Sequence, residues 1–176
     1  MTLDGVCDHT VGIADDELHD HYRALLRSAG SILYGRVTYQ LMEYWRTLLK
    51  NPSGNPSLDE FAVTMDRIPK IVYSRTLKQL DWESARLATN RLEEEVRILK
   101  QQSDQDILIG SPGLIAAATE LNLVDQYQLC IHPIIAGKGL PLFKNINDAT
   151  FLKLVRTKTF RSGVLLLCYE PCLPFS

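Results

Sequence analysis

Hydrophobic residues along the chain alternate between helical spacing and short continuous runs. Leu18, Tyr22 and Leu26 recur at helical spacing, so we expect a helix that is capped by Asp15 or Asp16 and ended by Gly30. Short apolar runs follow, each long enough for one strand. Strands are predicted at residues 31–35, 70–74, 84–89, 106–110 and 126–132.

Further helical stretches separate most of these runs. Helices are predicted from Arg36, from a Ser57/Glu60 capping box through Met65, from an Asn90 cap, and from Ser111-Pro112 through Leu121. The tail, residues 151–169 with a turn at 161–163, predicts an antiparallel hairpin. Strands joined through helices indicate an α/β fold: a mainly parallel sheet flanked by helices in three layers, with the C-terminal hairpin added.

Composition narrows the picture without pointing to a function. The 176 residues suit a single domain, residues 1–176, and a net charge of −2 argues against nucleic acid as a partner. The four cysteines form no metal-ligand spacing, and Cys130 and Cys168 lie in apolar runs, so we expect buried thiols and a cytoplasmic protein. The apolar runs are too short to span a bilayer.

Three predicted strand ends carry residues that suit phosphate. In parallel sheets, ligands usually bind outside the carboxyl ends of the strands. The first end is Tyr34-Gly35-Arg36-Val37-Thr38, where glycine permits a close turn and arginine and threonine can contact an anion. The alternative is a plain turn followed by a surface charge.

The second end is Ser74-Arg75-Thr76, in which two hydroxyls flank an arginine, as a terminal phosphate on a sugar requires. The alternative here is an exposed polar turn. The third end is Gly110-Ser111-Pro112-Gly113-Leu114, where small residues and a helix start allow a pyrophosphate to approach backbone amides. The alternative is that Ser111 only caps the helix. Together, the three ends indicate a phosphorylated dinucleotide.

The residues at these ends, together with several other segments in the same order, resemble a known family. Those segments are Leu3-Asp4-Gly5, 33–39, 70–77, 106–114, 123–127 and 132–143. The series is similar to the dihydrofolate-reductase-like family that includes the C-terminal reductase domain of bacterial riboflavin biosynthesis proteins. The resemblance covers nearly the whole chain, and the last segment is the most distinctive.

The resemblance implies a dihydrofolate-reductase-like fold, NADPH as cofactor, hydride transfer and a homodimer. It assigns Gly35, Arg36 and Thr38 to the cofactor phosphates and Ser74 and Arg75 to the 2′-phosphate. The pyrophosphate turn would consist of Gly110, Ser111, Gly113 and Leu114. Two departures from the family are a Gly110-Ser111 pair where two glycines are common, and only Met1 and Thr2 before Leu-Asp-Gly. The second departure means that the chain starts upstream or lacks part of the reactive end.

Candidates for the chemical step are fewer. Asp4 is a candidate proton donor or substrate anchor, with an Asp-Gly turn as the alternative. Tyr39 and Trp45 can form an aromatic wall for a flat substrate ring, or can simply be core residues. Successive side chains on a helix point about 100° apart, so His19 and His21 do not share a face, and no metal site is predicted there.

The sequence therefore predicts an NADPH-dependent reductase that acts on a small heterocyclic, pterin- or pyrimidine-like, substrate. The alternative is a nucleotide-binding module of the same fold without reductase activity.

Overall fold

The computed structural model describes residues 1–144 and 146–173, which group into two compact units. The middle unit is Asp16–Leu114, and the terminal unit combines Met1–Asp15 with Ile115–Ser176. Mixed α/β architecture is confirmed in the two sheets that these residues form. The assignment of one domain to residues 1–176 stays a prediction.

Four parallel strands form the sheet of the middle unit. The helices and strands follow the chain as α1 (Asp16–Ser28), β1 (Ala29–Gly35), α2 (Arg36–Met42), α3 (Tyr44–Lys50), α4 (Pro56–Arg67), β2 (Lys70–Tyr73), β3 (Ala85–Leu87), α5 (Leu92–Gln102) and β4 (Asp106–Ile109). The strand order is β3-β2-β1-β4, so β1 pairs with both β2 and β4. Because all pairings are parallel, the carboxyl ends of the four strands lie at one edge.

The core of the middle unit fills the space between this sheet and its helices. Its fully buried members include Tyr34 and Val72 from the sheet and Phe61 and Met65 from α4. Apolar residues spaced by three and four along α1 and α4 explain this contact, since they place one face of each helix inward.

An antiparallel sheet of three strands organises the terminal unit. The strands of this sheet are β5 (Tyr127–Ile131), β6 (Leu152–Thr159) and β7 (Leu165–Pro171). The unit also includes the end of the helix α6 (Pro112–Glu120). The predicted C-terminal hairpin is confirmed by the pairing of β6 with β7, and β5 lies on the other side of β7. Cys130 and Cys168 are buried free thiols in β5 and β7, as predicted.

Several local predictions were wrong. Gly30 does not end α1 but lies in β1, and the helix predicted from Arg36 is divided into α2 and α3. The cap of α4 is Asn55, whose side chain accepts hydrogen bonds from the backbone amides of Ser57 and Leu58. Asn90 does not cap α5: Arg91 occupies the cap position, and the Asn90 amide group donates to Glu95. At both helix starts two neighbouring polar residues compete for the cap position, and sequence pattern does not rank them.

Within the described residues, no helix is both long and apolar enough to cross a membrane.

Candidate functional site

The three phosphate-binding turns predicted from the sequence end three neighbouring strands of the middle unit. Since the order is β2-β1-β4, the turn that starts at Gly35 lies between those of Ser74 and Gly110. Adjacent strands are about 4.8 Å apart, so the outer two turns are separated by about 10 Å across the sheet. One elongated ligand can therefore contact all three.

The Gly35 and Gly110 turns are joined directly. The backbone amide of Gly35 donates to the Ser111 hydroxyl at 2.8 Å, and the amide of Gly110 donates to the Leu33 carbonyl at 3.2 Å. Ser111 is only 4 % exposed, so its hydroxyl is fixed between two strand ends. This bond explains how the chain accommodates serine where the family commonly has a second glycine: the side chain holds the neighbouring turn.

Gly110 cannot carry a side chain in this turn. A Cβ atom built on it would lie 2.6 Å from Cε1 of Tyr34, a buried ring that forms the floor of the turn. Gly113, one turn further along, has open space where a Cβ would be. The turn therefore requires glycine at position 110, where the backbone passes close to the Tyr34 ring, but not at position 113.

Arg36 begins α2 on the exposed side of the first turn. Its guanidinium donates to the side-chain carbonyl of Gln40 at 3.0 Å, a contact within the same helix. No carboxylate pairs with Arg36 in the part of the chain that the structure describes. Thr38 is half-buried two residues further along α2. The charge of Arg36 is thus available to an anion.

Ser74 shapes the second turn, and Arg75 extends from it. The Ser74 hydroxyl accepts hydrogen bonds from the backbone amides of Thr76 at 3.2 Å and Leu77 at 2.9 Å, so it closes the chain after β2. Arg75 and Thr76 are exposed. Among residues 1–144 and 146–173, no acidic side chain pairs with Arg75. Ser74 therefore stabilises the turn after β2, in addition to its predicted role in binding phosphate.

A fourth strand end lies at the same edge, and the sequence analysis did not include it. The Ala88 amide donates to the Val72 carbonyl, so β3 ends beside β2, and Asn90 and Arg91 follow. Buried Glu95 of α5, 1 % exposed, fixes this turn by accepting from Asn90 at 3.1 Å and from Arg86. Arg91 is exposed. Its position shortly after the strand predicted at 84–89 was the available signal, which the capping interpretation of Asn90 obscured.

The two aromatic candidates for a substrate wall differ in exposure. Tyr39 is 2 % exposed and lies in the core beside Trp82, so it presents no ring face to a ligand, and the core alternative applies to it. Trp45 is half-buried on α3 and contacts the rings of His19, Tyr44 and Phe61 edge to face. A role of Trp45 at a substrate stays a prediction.

Asp4, in the terminal unit, holds a loop. Its carboxylate accepts hydrogen bonds from the Thr2 hydroxyl at 2.6 Å and from the backbone amides of Gly137 at 2.7 Å and Ala136 at 3.1 Å. These bonds, the Thr2 one foremost, lower the pKa of the carboxyl to about 2. A carboxyl with that pKa is ionised at neutral pH, so Asp4 does not suit a proton donor there. The Asp-Gly turn alternative fits what is observed.

The chain matches known proteins over most of its length. The family model described as the RibD C-terminal domain matches residues 1–166. The uncharacterized protein YyaP of Bacillus subtilis (strain 168) is 34 % identical over 174 residues, which cover 97 % of this chain and 90 % of that protein.

Solved structures share the fold at low identity. A pyrimidine reductase-like protein from Corynebacterium diphtheriae has a TM-score of 0.65 at 18 % identity, over 98 % of this chain and 89 % of that one. RibD of Acinetobacter baumannii has a TM-score of 0.69 at 13 % identity, over 97 % of this chain and 55 % of that one. At such identities the likeness concerns the fold.

Proposed function

Because the chain belongs to the RibD C-terminal domain family, we propose that it is a reductase that transfers hydride from NADPH to a small heterocyclic substrate of pyrimidine or pterin type. The observation that carries this proposal is the row of turns at the carboxyl edge of the parallel sheet. A phosphorylated dinucleotide has several anionic groups in a line, and this edge offers arginine, hydroxyl and close-approach glycine in a line.

The residues present suit such a cofactor. The pyrophosphate would be held by the turn of Gly110, Ser111, Gly113 and Leu114. Gly110 has no side chain to block the approach of a ligand to its backbone, and the backbone amides at the start of α6 favour an anion. Gly35, Arg36 and Thr38 would contact the neighbouring phosphate oxygens.

On the adenosine side, Ser74, Arg75 and Thr76 would bind the 2′-phosphate that distinguishes NADPH from NADH. Arg91, at the end of the adjacent strand β3, adds a second exposed cation to this side.

NADPH, when bound, supplies the hydride, and the protein supplies binding and orientation. The arginines position the cofactor from its phosphate end. Asp4, as an ionised carboxylate bonded to two loop amides, would shape the loop at Ala136 and Gly137. The proton that accompanies hydride transfer would then come from water.

The experiment is a titration of the purified protein with NADPH and with NADH. We expect tighter binding of NADPH, and we expect Arg75→Ala to reduce that preference by about tenfold or more, the value of one charge-assisted contact. Arg36→Ala is expected to weaken the binding of both cofactors by a similar factor, because both have the phosphates that Arg36 would contact. Arg67→Ala is the matched control, because this exposed arginine ends α4 at the opposite edge of the sheet. Equal affinity for the two cofactors in the unmodified protein would refute the proposal.

Turnover separates the reductase from its alternative. NADPH oxidation, followed at its nicotinamide absorbance with a panel of pyrimidine and pterin substrates, is expected for at least one compound. Binding without oxidation across the panel would instead support a nucleotide-binding module. We also propose a homodimer in the cytoplasm, which sedimentation of the purified protein and cell fractionation test.

A further inference from the structure

The N-terminal segment 8–14 lies in the terminal unit without helix or strand structure and is joined to β5 through one histidine. The backbone amide of Ile13 donates to Nδ1 of His132 at 3.0 Å. Gly12 lies against the same ring, since a Cβ built on it would be 3.7 Å from the His132 Cε1 atom. Nearer its start, the segment is held by a local turn in which Asp8 accepts from the amide and hydroxyl of Thr10.

The direction of the Ile13 bond fixes the protonation state of the ring. An N–H group needs an acceptor, so Nδ1 must be unprotonated and the proton of neutral His132 must be on Nε2. Protonation of the ring would place a second donor opposite the Ile13 amide. The bond then cannot form, and two N–H groups face each other.

We propose that His132 is a pH-sensitive latch that holds the 8–14 segment in place while neutral and releases it when protonated. This inference goes beyond the proposed reductase activity and does not depend on it. The segment is suited to release because its other hydrogen bonds among the described residues, at Asp8, are made within the segment itself.

Burial and the charge of the chain's amino terminus set the pH range in which His132 would release the segment. Burial, and secondly the ammonium group of Met1, lower the pKa of His132. A lowered pKa in the folded protein means that the latch is closed at neutral pH and opens as the pH falls below about 6.5, the ordinary histidine value. Asp4 and Asp8 have lowered pKa values and stay ionised through this range. His9, 63 % exposed in its side chain, is the one histidine within the segment itself.

The test is nuclear magnetic resonance of the full chain between pH 7.5 and 4.5. At pH 7.5 the His132 ring is expected as the Nε2–H tautomer, and the exchange protection of the Ile13 amide, corrected for intrinsic rates, is expected to fall about fivefold as the ring titrates, the value of one neutral hydrogen bond. His132→Asn places an amide oxygen near the Nδ1 position without a titrating group. It is expected to keep the protection and to lose its pH dependence.

Two controls make the result decisive. His9→Gln removes the histidine ring that lies within the segment itself and is expected to leave the pH dependence unchanged. An Nδ1–H tautomer at pH 7.5, or the same pH dependence in His132→Asn, overturns the proposal. Because both results are read from spectra of the folded protein, an inactive reductase would not affect them.

Discussion

At the scale of single residues, Gly110 is the position where the structure leaves least freedom. We expect Gly110→Ala to destabilise the protein by about 1–3 kcal/mol, because the added methyl would overlap the buried Tyr34 ring. Urea unfolding followed by circular dichroism measures the change. Gly113→Ala is the matched control in the same turn: it meets open space in α6 and is expected to stabilise by about 0.5–1 kcal/mol. Similar losses in both variants would contradict this account.

Asp4 predicts a pH dependence of stability. Its folded pKa of about 2 lies below the ordinary aspartate value of about 3.9, so its contribution is complete above pH 4 and is lost as the pH falls towards 2. We expect Asp4→Asn to lower the melting temperature at pH 6, and the difference from the unmodified protein to shrink steadily below pH 4. Asp104→Asn, at an exposed site, serves as control and is expected to show little difference at any pH.

Asp4 and Tyr39 also show why residue roles were the hardest part to predict. The sequence marked Asp4 as a turn residue or a functional one, but two of its three bonds connect it to residues more than 130 positions away, and no local pattern contains them. From the sequence alone, Tyr39 could be part of a substrate-binding wall or a core residue, because helical spacing defines a face of the helix but not what covers that face. Its burial in the structure corresponds to the core alternative.

At the scale of elements, the junction between α4 and β2 depends on a buried amine. The Lys70 Nζ donates to the carbonyls of Ile68 at 2.9 Å and Asp66 at 3.3 Å and to the Ser84 hydroxyl at 2.8 Å, and it lies 3.9 Å from the centre of the Trp82 ring. It therefore supplies a donor to the Ile68 carbonyl just after α4 and a further donor to the Asp66 carbonyl, which also accepts from the Ser84 hydroxyl.

Lys70→Met should keep the apolar stem and remove these bonds. We expect a loss of about 1–3 kcal/mol in unfolding free energy, because the buried Ile68 carbonyl loses the Lys70 donor. Lys78→Met, at an exposed position after β2, is the control. NADPH affinity is expected to be unchanged in Lys70→Met, since Lys70 begins β2 at the edge opposite the turns proposed to bind phosphate; a weakened affinity would place the cofactor elsewhere.

Most elements were predictable from the sequence, and the reasons are local. Apolar runs at 106–109 and 70–73 are bounded by turn residues on both sides, which leaves little choice but a strand. The pairing of β5 with β7 was not derivable in the same way, because its apolar pattern fits parallel and antiparallel neighbours alike. The fourth turn, at Asn90 and Arg91, was missed since strand order across a sheet is a long-range property.

At the scale of the whole molecule, cofactor binding should appear as added stability. A ligand that binds only the folded protein stabilises it by about 2.7 kcal/mol at 100 times its dissociation constant. We expect NADPH to raise the melting temperature more than NADH at equal concentration, and the difference to shrink in Arg75→Ala. The same increase with both cofactors would contradict the assigned roles of the arginines, and no increase with either would argue against binding.

The hydrogen bond between Gly35 and Ser111 has a consequence for how the two turns respond to a ligand. Because one hydroxyl fixes the ends of β1 and β4 together, an anion that moves either turn must strain or break that bond in the other. A ligand therefore cannot change the position of one turn without affecting the other. Substitution of Ser111 by glycine would restore the family's common pair and remove this side-chain link, so that the backbone bond from the Gly110 amide to the Leu33 carbonyl would be the remaining hydrogen bond described between the two turns.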